Sequence, residues 1–259
     1  MLGLYDSGLG GLTVLNALRA AGVDQDIVYF ADQAHVPYGN RSAAELHALL
    51  TENFALLAAH RIDVLVMACN TSNAIAARLG WPDAPFRVLD LIENAARALA
   101  VAPYQKIAVV ATPATVRSGA YGNAIRRVVP QVAVVEIAAP ALVPLVESGA
   151  AGSPAALAEV GALARTLPND LDALLYGCTH YPMLDREFAA SLPPHVARID
   201  PAIAQARACR AAIVDLGLTS GGGMTHYLTN GDLAAFEHNV RRWTNDALGE
   251  VSRVNVLVP

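Results

Sequence analysis

One pattern limits the folds open to this chain more than any other. Short runs rich in Val, Ile and Leu recur along it, separated by Ala- and Leu-rich stretches long enough to form helices. A strand that returns to its sheet after a helical crossover runs parallel to the first, and parallel sheets are buried under helices on both faces. The expected class is therefore α/β. The spacing predicts strands at Leu2–Tyr5, Ile27–Phe30, Val64–Met67, Arg87–Leu89, Ile107–Val110, Val132–Ile137, Ala173–Tyr176 and Ala197–Ile199. Helices are predicted at Leu12–Ala20, Ala43–Ala59, Ala74–Leu79, Ile92–Ala100, Leu157–Leu167 and Ala202–Leu216. Gly221–Gly223 reads as a flexible connection. Beyond it, Thr225–Thr229 and Val251–Val258 read as late strands flanking a helix from about Leu233 to Trp243.

The alternation contains a weak internal repeat. Ile62-Asp-Val-Leu-Val-Met-Ala-Cys69-Asn-Thr aligns with Leu171-Asp-Ala-Leu-Leu-Tyr-Gly-Cys178-Thr-His. The run Leu2–Tyr5, leading to Asp6-Ser7, likewise matches Ile107–Val110, leading to Thr112. Two related α/β units follow, each with a cysteine just past a buried-type strand. Ligands in such sheets bind outside the carboxyl ends of the strands, so the two thiols can face one cleft.

Composition narrows the function. With 54% hydrophobic and 16% charged residues over 259 positions, the chain is not disordered. Its apolar runs are broken well before the ~20 residues a spanning helix needs, so no membrane partner is expected. Net charge is −5, and no basic run exceeds a pair such as Arg241–Arg242, so nucleic acid is not an expected partner. No secretory pattern precedes Asp6, and the chain reads as cytoplasmic. Three cysteines (Cys69, Cys178, Cys209) argue against a disulfide framework. Lys106 is the one lysine, which restricts any chemistry that needs a Schiff base.

Cys69 and Cys178 each precede residues suited to a helix N-terminus, whose dipole is expected to lower a thiol pKa and to bind carboxylates. A single free cysteine is most often an inert packed thiol. Two at equivalent points of a repeat favour a functional pair, whereas Cys209, in an Ala-rich helix, reads as packing. His180, two residues past Cys178, can shuttle its proton. Cys-x-His supplies only two metal ligands, so no metal is expected. Asp6-Ser-Gly-Leu-Gly-Gly11 follows a strand and opens a helix, but its spacing fits neither a dinucleotide fingerprint nor a phosphate loop. Asp6 either caps that helix or acts on a nearby acid, base or ammonium group. Pro37-Tyr38-Gly39 reads as a turn whose N–H groups can take a carboxylate, and Thr112 and Thr115 as caps or ligand donors. Glu147, read alone, belongs to the surface.

Asp6-Ser-Gly-Leu-Gly-Gly, Val36-Pro-Tyr-Gly, Ala68-Cys-Asn-Thr, Thr112-Pro-Ala-Thr-Val-Arg-Ser-Gly-Ala-Tyr, Val143-Pro-Leu-Val-Glu and Gly177-Cys-Thr-His-Tyr-Pro together resemble the signature set of the glutamate racemases, a branch of the aspartate/glutamate racemase family. The resemblance implies two similar α/β domains with mostly parallel sheets, pseudo-two-fold related, with the active site in the cleft between them. The expected division is 1–95 plus 207–259 for the first domain and 96–206 for the second. It implies racemisation of glutamate without a cofactor by two cysteines, the D-glutamate serving peptidoglycan synthesis, and it allows a homodimer. Carried over, Cys69 works on the D-enantiomer with help from Asp6, and Cys178 on the L-enantiomer with help from His180 and Glu147. Ser7, Pro37, Tyr38, Gly39, Asn70, Thr71, Thr112, Thr115 and Thr179 bind the amino acid with them. Alternatives are an aspartate or other amino-acid racemase of the superfamily, and a binding protein on the same scaffold without activity.

Overall fold

Among the described residues every strand pairing is parallel, as the alternation of apolar runs and helical stretches requires. The computed structural model describes residues 1–244 and 248–254. Strands are β1 (Leu2–Asp6), β2 (Ile27–Ala31), β3 (Val64–Met67), β4 (Arg87–Leu89), β5 (Lys106–Ala111), β6 (Ala133–Ala138), β7 (Ala173–Gly177), β8 (Ala197–Ile199), β9 (Thr225–Thr229) and β10 (Leu248–Arg253). Helices are α1 (Gly11–Ala20), α2 (Ala43–Ala59), α3 (Asn70–Leu79), α4 (Leu91–Leu99), α5 (Pro113–Ser118), α6 (Ala120–Val128), α7 (Leu142–Glu147), α8 (Pro154–Ala164), α9 (Asp185–Ser191), α10 (Pro201–Asp215) and α11 (Leu233–Trp243).

The strands form two sheets, ordered β10-β9-β2-β1-β3-β4 and β6-β5-β7-β8. The order β2-β1-β3-β4 of the first recurs as β6-β5-β7-β8 in the second, so β3 and β7 occupy equivalent places. This is the repeat read from Cys69 and Cys178. Apolar clusters pack on both faces of each sheet, as a parallel sheet requires. The chain passes between the sheets twice, through α4 and through α10, which pack against each other. The two expected domain boundaries fall within these crossing helices.

Local sequence explains the element ends. Ser42 accepts from the Glu45 N–H while Glu45 returns the bond, a capping box that starts α2. Asp90, Thr112, Ser153, Asp200 and Asp232 cap five further helices with their side chains. Gly119, at φ 65°, takes the left-handed conformation that separates α5 from α6. Three expectations need correction. The helix placed at Ala74–Leu79 is α3, which starts four residues earlier at Asn70, behind the Cys69 cap. The strand placed at Val251–Val258 is β10, which starts at Leu248 and ends at Arg253; residues 255–259 lie outside the described residues. The helix placed at Leu157–Leu167 is α8, which begins at Pro154, pre-set for a first helical position behind Ser153, and ends at Ala164.

Candidate active site

At the carboxyl ends of β1, β3, β5 and β7, a strand hands over to a turn or helix start: Asp6-Ser7, Ala68-Cys69, Thr112 and Cys178-Thr179-His180. These four points converge on one cleft. Its walls include Ser7, Pro37, Tyr38, Gly39, Cys69, Asn70, Thr71, Thr112, Cys178, Thr179 and His180, all expected from the sequence. Val36, Ala139, Pro140, Val143 and Pro144 add an apolar wall; Val36, Val143 and Pro144 lie in the quoted motifs but are given no role from the sequence. Asp6, Thr115 and Glu147 stand one layer behind, each bonded to a wall residue.

The two thiols are held differently. Cys69 caps α3, accepting from the Ser72 N–H at 3.5 Å, and its Sγ lies 3.5 Å from Ser7 Oγ. Burial and the Asp6 charge push its thiol up to about 12, although the bonds from Ser72 and Ser7 pull the other way. This corrects the expectation that the helix N-terminus lowers it: one N–H at sulfur distance does not offset removal from water. Cys178 sits with its Sγ 3.7 Å from His180 Nδ1, and His180 Nε2 is 2.6 Å from Glu147 Oε1. Burial works against a charged imidazole here. The bonds and charges of Cys178 and Glu147 outweigh it, and His180 is held well above the ordinary histidine value. Glu147 is pushed up by burial, but His180 and the Leu9 N–H, 3.2 Å away, bring it below the usual carboxylate range. The carboxylate that reads as surface in the sequence is thus largely buried behind a histidine.

Asp6 is fully buried. It accepts from the Gly8 N–H at 3.0 Å and from Thr179 Oγ1 at 3.1 Å, a bond that joins the two sheets' loops. Burial raises it above the usual range, against the pull of His180 and of the Gly8 and Gly11 N–H groups. The glycines of this turn are required by what faces them. A Cβ at Gly10 would stand 2.3 Å from Thr179 Oγ1 and 2.6 Å from His180 Nδ1, and one at Gly8 would stand 2.5 Å from Glu147 Oε1. Thr71, Thr112 and Thr115 share a hydroxyl cluster at 3.0–3.4 Å, so Thr115 supports the wall from behind.

Tyr38 lines the cleft with its ring, while its hydroxyl turns into a buried network with Tyr5, Asn53 and Asp32. Asp32 also bonds His35 and Asn230. This network fixes the Val36–Gly39 segment, whose Val36–Pro37 bond is cis. The sequence reading missed Asp32, Tyr5 and Asn53 as site supports. An Asp closing β2 at the start of the Pro37-Tyr38 loop was the available signal.

Lys106 begins β5, at the strand end opposite Thr112, and pairs with Asp170 at 2.6 Å. Cys209 lies on the buried face of α10, packed in the core. Among the described residues, no group of three or more His, Cys, Asp and Glu converges as a metal site would, and no helix is long and apolar enough to cross a membrane.

Two α/β units each bring a thiol to one cleft, between hydroxyl and N–H donors and beside an imidazole–carboxylate pair, groups that can give and take protons. Comparison with known proteins specifies the class. The sequence profile described as Asp/Glu/Hydantoin racemase matches residues 13–209. The glutamate racemase of Gloeobacter violaceus is 38% identical over 244 residues, 94% of this chain and 92% of that one. Among solved structures, the glutamate racemase of Thermus thermophilus, in complex with beta-chloro-D-alanine, superposes with a TM-score of 0.83 at 35% identity, covering 98% of this chain and 96% of that one. A glutamate racemase isoform of Bacillus anthracis gives 0.90 at 29% identity, covering 99% and 97%. The chain belongs to the Asp/Glu/hydantoin racemase family, within it to the glutamate racemases, and is an amino-acid racemase, an isomerase.

Proposed function

We propose that this protein interconverts L- and D-glutamate by a two-base mechanism in which Cys69 and Cys178 act on opposite faces of the α-carbon. The observation that carries the reading is the placement of both thiols, at equivalent strand ends of a repeated unit, in the wall of one cleft. One thiolate takes the α-proton, so the Cα–H bond breaks and an S–H bond forms. The thiol opposite then gives up its proton, and a new Cα–H bond forms on the other face. The two sulfurs exchange charge states over a turnover.

The electrostatics supply roles. Cys69, raised to about 12 by burial and Asp6, rests as the thiol and serves as proton donor when L-glutamate binds. His180, held cationic by Glu147, is the counter-charge for a thiolate at Cys178, which then acts as base. Asp6 favours the protonated state of Cys69 in that direction. A bound ammonium group near Asp6 offsets this and favours the Cys69 thiolate for D-glutamate. An α-C–H is a very weak acid, so preorganised N–H and hydroxyl donors must stabilise the charge that develops on the carboxylate side. Asn70, Thr71, Thr112 and Thr179 are assigned that work on the strength of their position in the cleft wall, alongside Ser7 and the Pro37-Tyr38-Gly39 segment. Acting in the cytoplasm, the protein supplies D-glutamate for peptidoglycan; a strain lacking it is expected to need D-glutamate to grow.

Cys69→Ala and Cys178→Ala are each expected to abolish racemisation, followed as loss of optical rotation from either enantiomer. Retained racemisation in either variant refutes the two-base scheme. Rates on glutamate and aspartate, compared in the wild type, decide the substrate; faster turnover of aspartate would assign the alternative.

A further inference from the structure

The two sulfurs differ in what fixes them. Cys178 has a charged partner in His180, which is locked by Glu147. Cys69 has only Ser7 and the Ser72 N–H, both at 3.5 Å, so its position depends on its backbone. That backbone lies past the last β3–β4 pair, Val66 with Leu89, where the strands diverge and the next carbonyls lose their ladder partners. The structure fills the gap with side chains. Gln205, fully buried in α10, donates both Nε2 hydrogens, one to Met67 O at 2.8 Å and one to Leu89 O at 2.8 Å. Its Oε1 accepts from Asn94 of α4 at 2.7 Å. Asn73, also fully buried, donates to Cys69 O at 2.7 Å and accepts from the Leu91 N–H at 2.9 Å. The carbonyl at 69 is therefore tied to the start of α4 through Asn73, and the carbonyl at 67 to α10 through Gln205 and on to α4 through Asn94.

Helices α4 and α10 are the two crossings between the sheets. We infer that Gln205 and Asn73 are positioning residues for Cys69, coupling the turn that carries this thiol to the helices that set how the two halves of the cleft meet. The inference rests on the two-cysteine reading. Its reason is geometric: proton transfer needs the sulfur aligned on one face of the α-carbon, and a displacement of about 1 Å costs on the order of a hundredfold in rate. Buried amides bonded through both their nitrogen and their oxygen are suited to holding such a turn, because each lost partner leaves a polar group unpaired.

The effect should fall on one half of the reaction. If Cys69 is misplaced, the Cys69 step limits turnover in both directions. The deuterium isotope effect on kcat/KM then rises for [2-²H]-D-glutamate, whose C–D bond Cys69 breaks. It falls towards unity for [2-²H]-L-glutamate, whose C–D bond Cys178 breaks. The experiment measures both isotope effects for wild type, Gln205→Leu, Asn73→Ala and Asn94→Ala, the last at a half-buried site that removes only the tether to α4. Gln205→Leu and Asn73→Ala are expected to lower kcat/KM about tenfold or more, with the isotope effects moving apart in that sense. Asn94→Ala should show the same divergence at a smaller loss, and it decides the matter should the buried variants fail to fold. Unchanged kinetics, or a loss with both isotope effects as in wild type, overturns the inference. A wild type that washes no solvent deuterium into glutamate would instead overturn the underlying two-cysteine reading.

Discussion

At Cys69, burial and the charge of Asp6 together favour the protonated thiol. Asp6 pushes Cys69 upward, so removing its charge should bring the thiol down. Asp6→Asn is therefore expected to alkylate faster at Cys69 with iodoacetamide at pH 8 while losing racemase activity; slower alkylation would show that Asp6 acts on Cys69 in some other way. The His180–Glu147 pair gives a pH prediction. His180 is raised in the folded protein, so its stabilisation is complete below the unfolded value of ~6.5 and is lost as pH rises through the folded value. Glu147 is lowered, so its share is present above the unfolded value of ~4.3 and is lost as pH falls through the folded one. The pair thus stabilises from weakly acidic pH up to His180's raised value. Glu147→Gln should reduce stability mainly in that window, read as urea midpoints across pH. Its kcat/KM with L-glutamate should decline at lower pH than the wild type's, because His180 then loses its proton sooner.

Elements carry these residues, and two substitutions separate carriage from chemistry. Ser42→Ala removes the capping box of α2, far along the chain from either thiol. It should lower stability by ~1 kcal/mol in chemical denaturation and leave kinetics unchanged. Gly10→Ala is the opposite case. Its new Cβ would meet Thr179 and His180 well inside contact distance, so the β1–α1 turn must retreat from the cleft. Activity should fall about a hundredfold or more while the melting temperature moves only a few degrees; a fully active Gly10→Ala would mean that the turn can yield without disturbing the site. Elements were also the scale most legible in the sequence. Strands such as Val64–Met67 and Ala173–Gly177 announce themselves because a buried parallel strand is a near-continuous apolar run. Helices α5 and α6 were harder to see, since one left-handed glycine splits what pattern alone reads as a single polar-to-apolar stretch. The wall residues Ser7, Asn70, Thr71 and Thr179 are reached through the family resemblance, since hydroxyl and small residues past a strand end serve equally as helix caps. Asp32, Asn73 and Gln205 were not legible, and Glu147 was so only through the resemblance, because their burial comes from partners far away in the chain, and no local pattern records that Gln205 will meet Met67 O.

At the scale of the molecule, the two sheets turn the same strand ends towards one cleft and leave the opposite ends to structural ion pairs. This arrangement bears on how the α-carbon is activated. The usual electron sink for amino-acid carbanions is pyridoxal phosphate, bound as a Schiff base to a lysine. Lys106 is the chain's one lysine. It stands at the amino end of β5, where its Nζ is 2.6 Å from Asp170 and its side chain is partly exposed. The site residues Thr112 and Cys178 lie past the carboxyl ends of β5 and its neighbour β7, a full strand length away. Arginine can replace such a lysine in a surface ion pair but cannot form the imine, so Lys106→Arg separates the two possibilities. The expected result is wild-type racemisation of both enantiomers, with no inhibition by hydroxylamine, which traps aldehyde cofactors. Inactivation by either treatment would mean that a lysine at the far edge of the sheet reaches the chemistry, and the reaction would have to be rebuilt around it rather than around the two thiols.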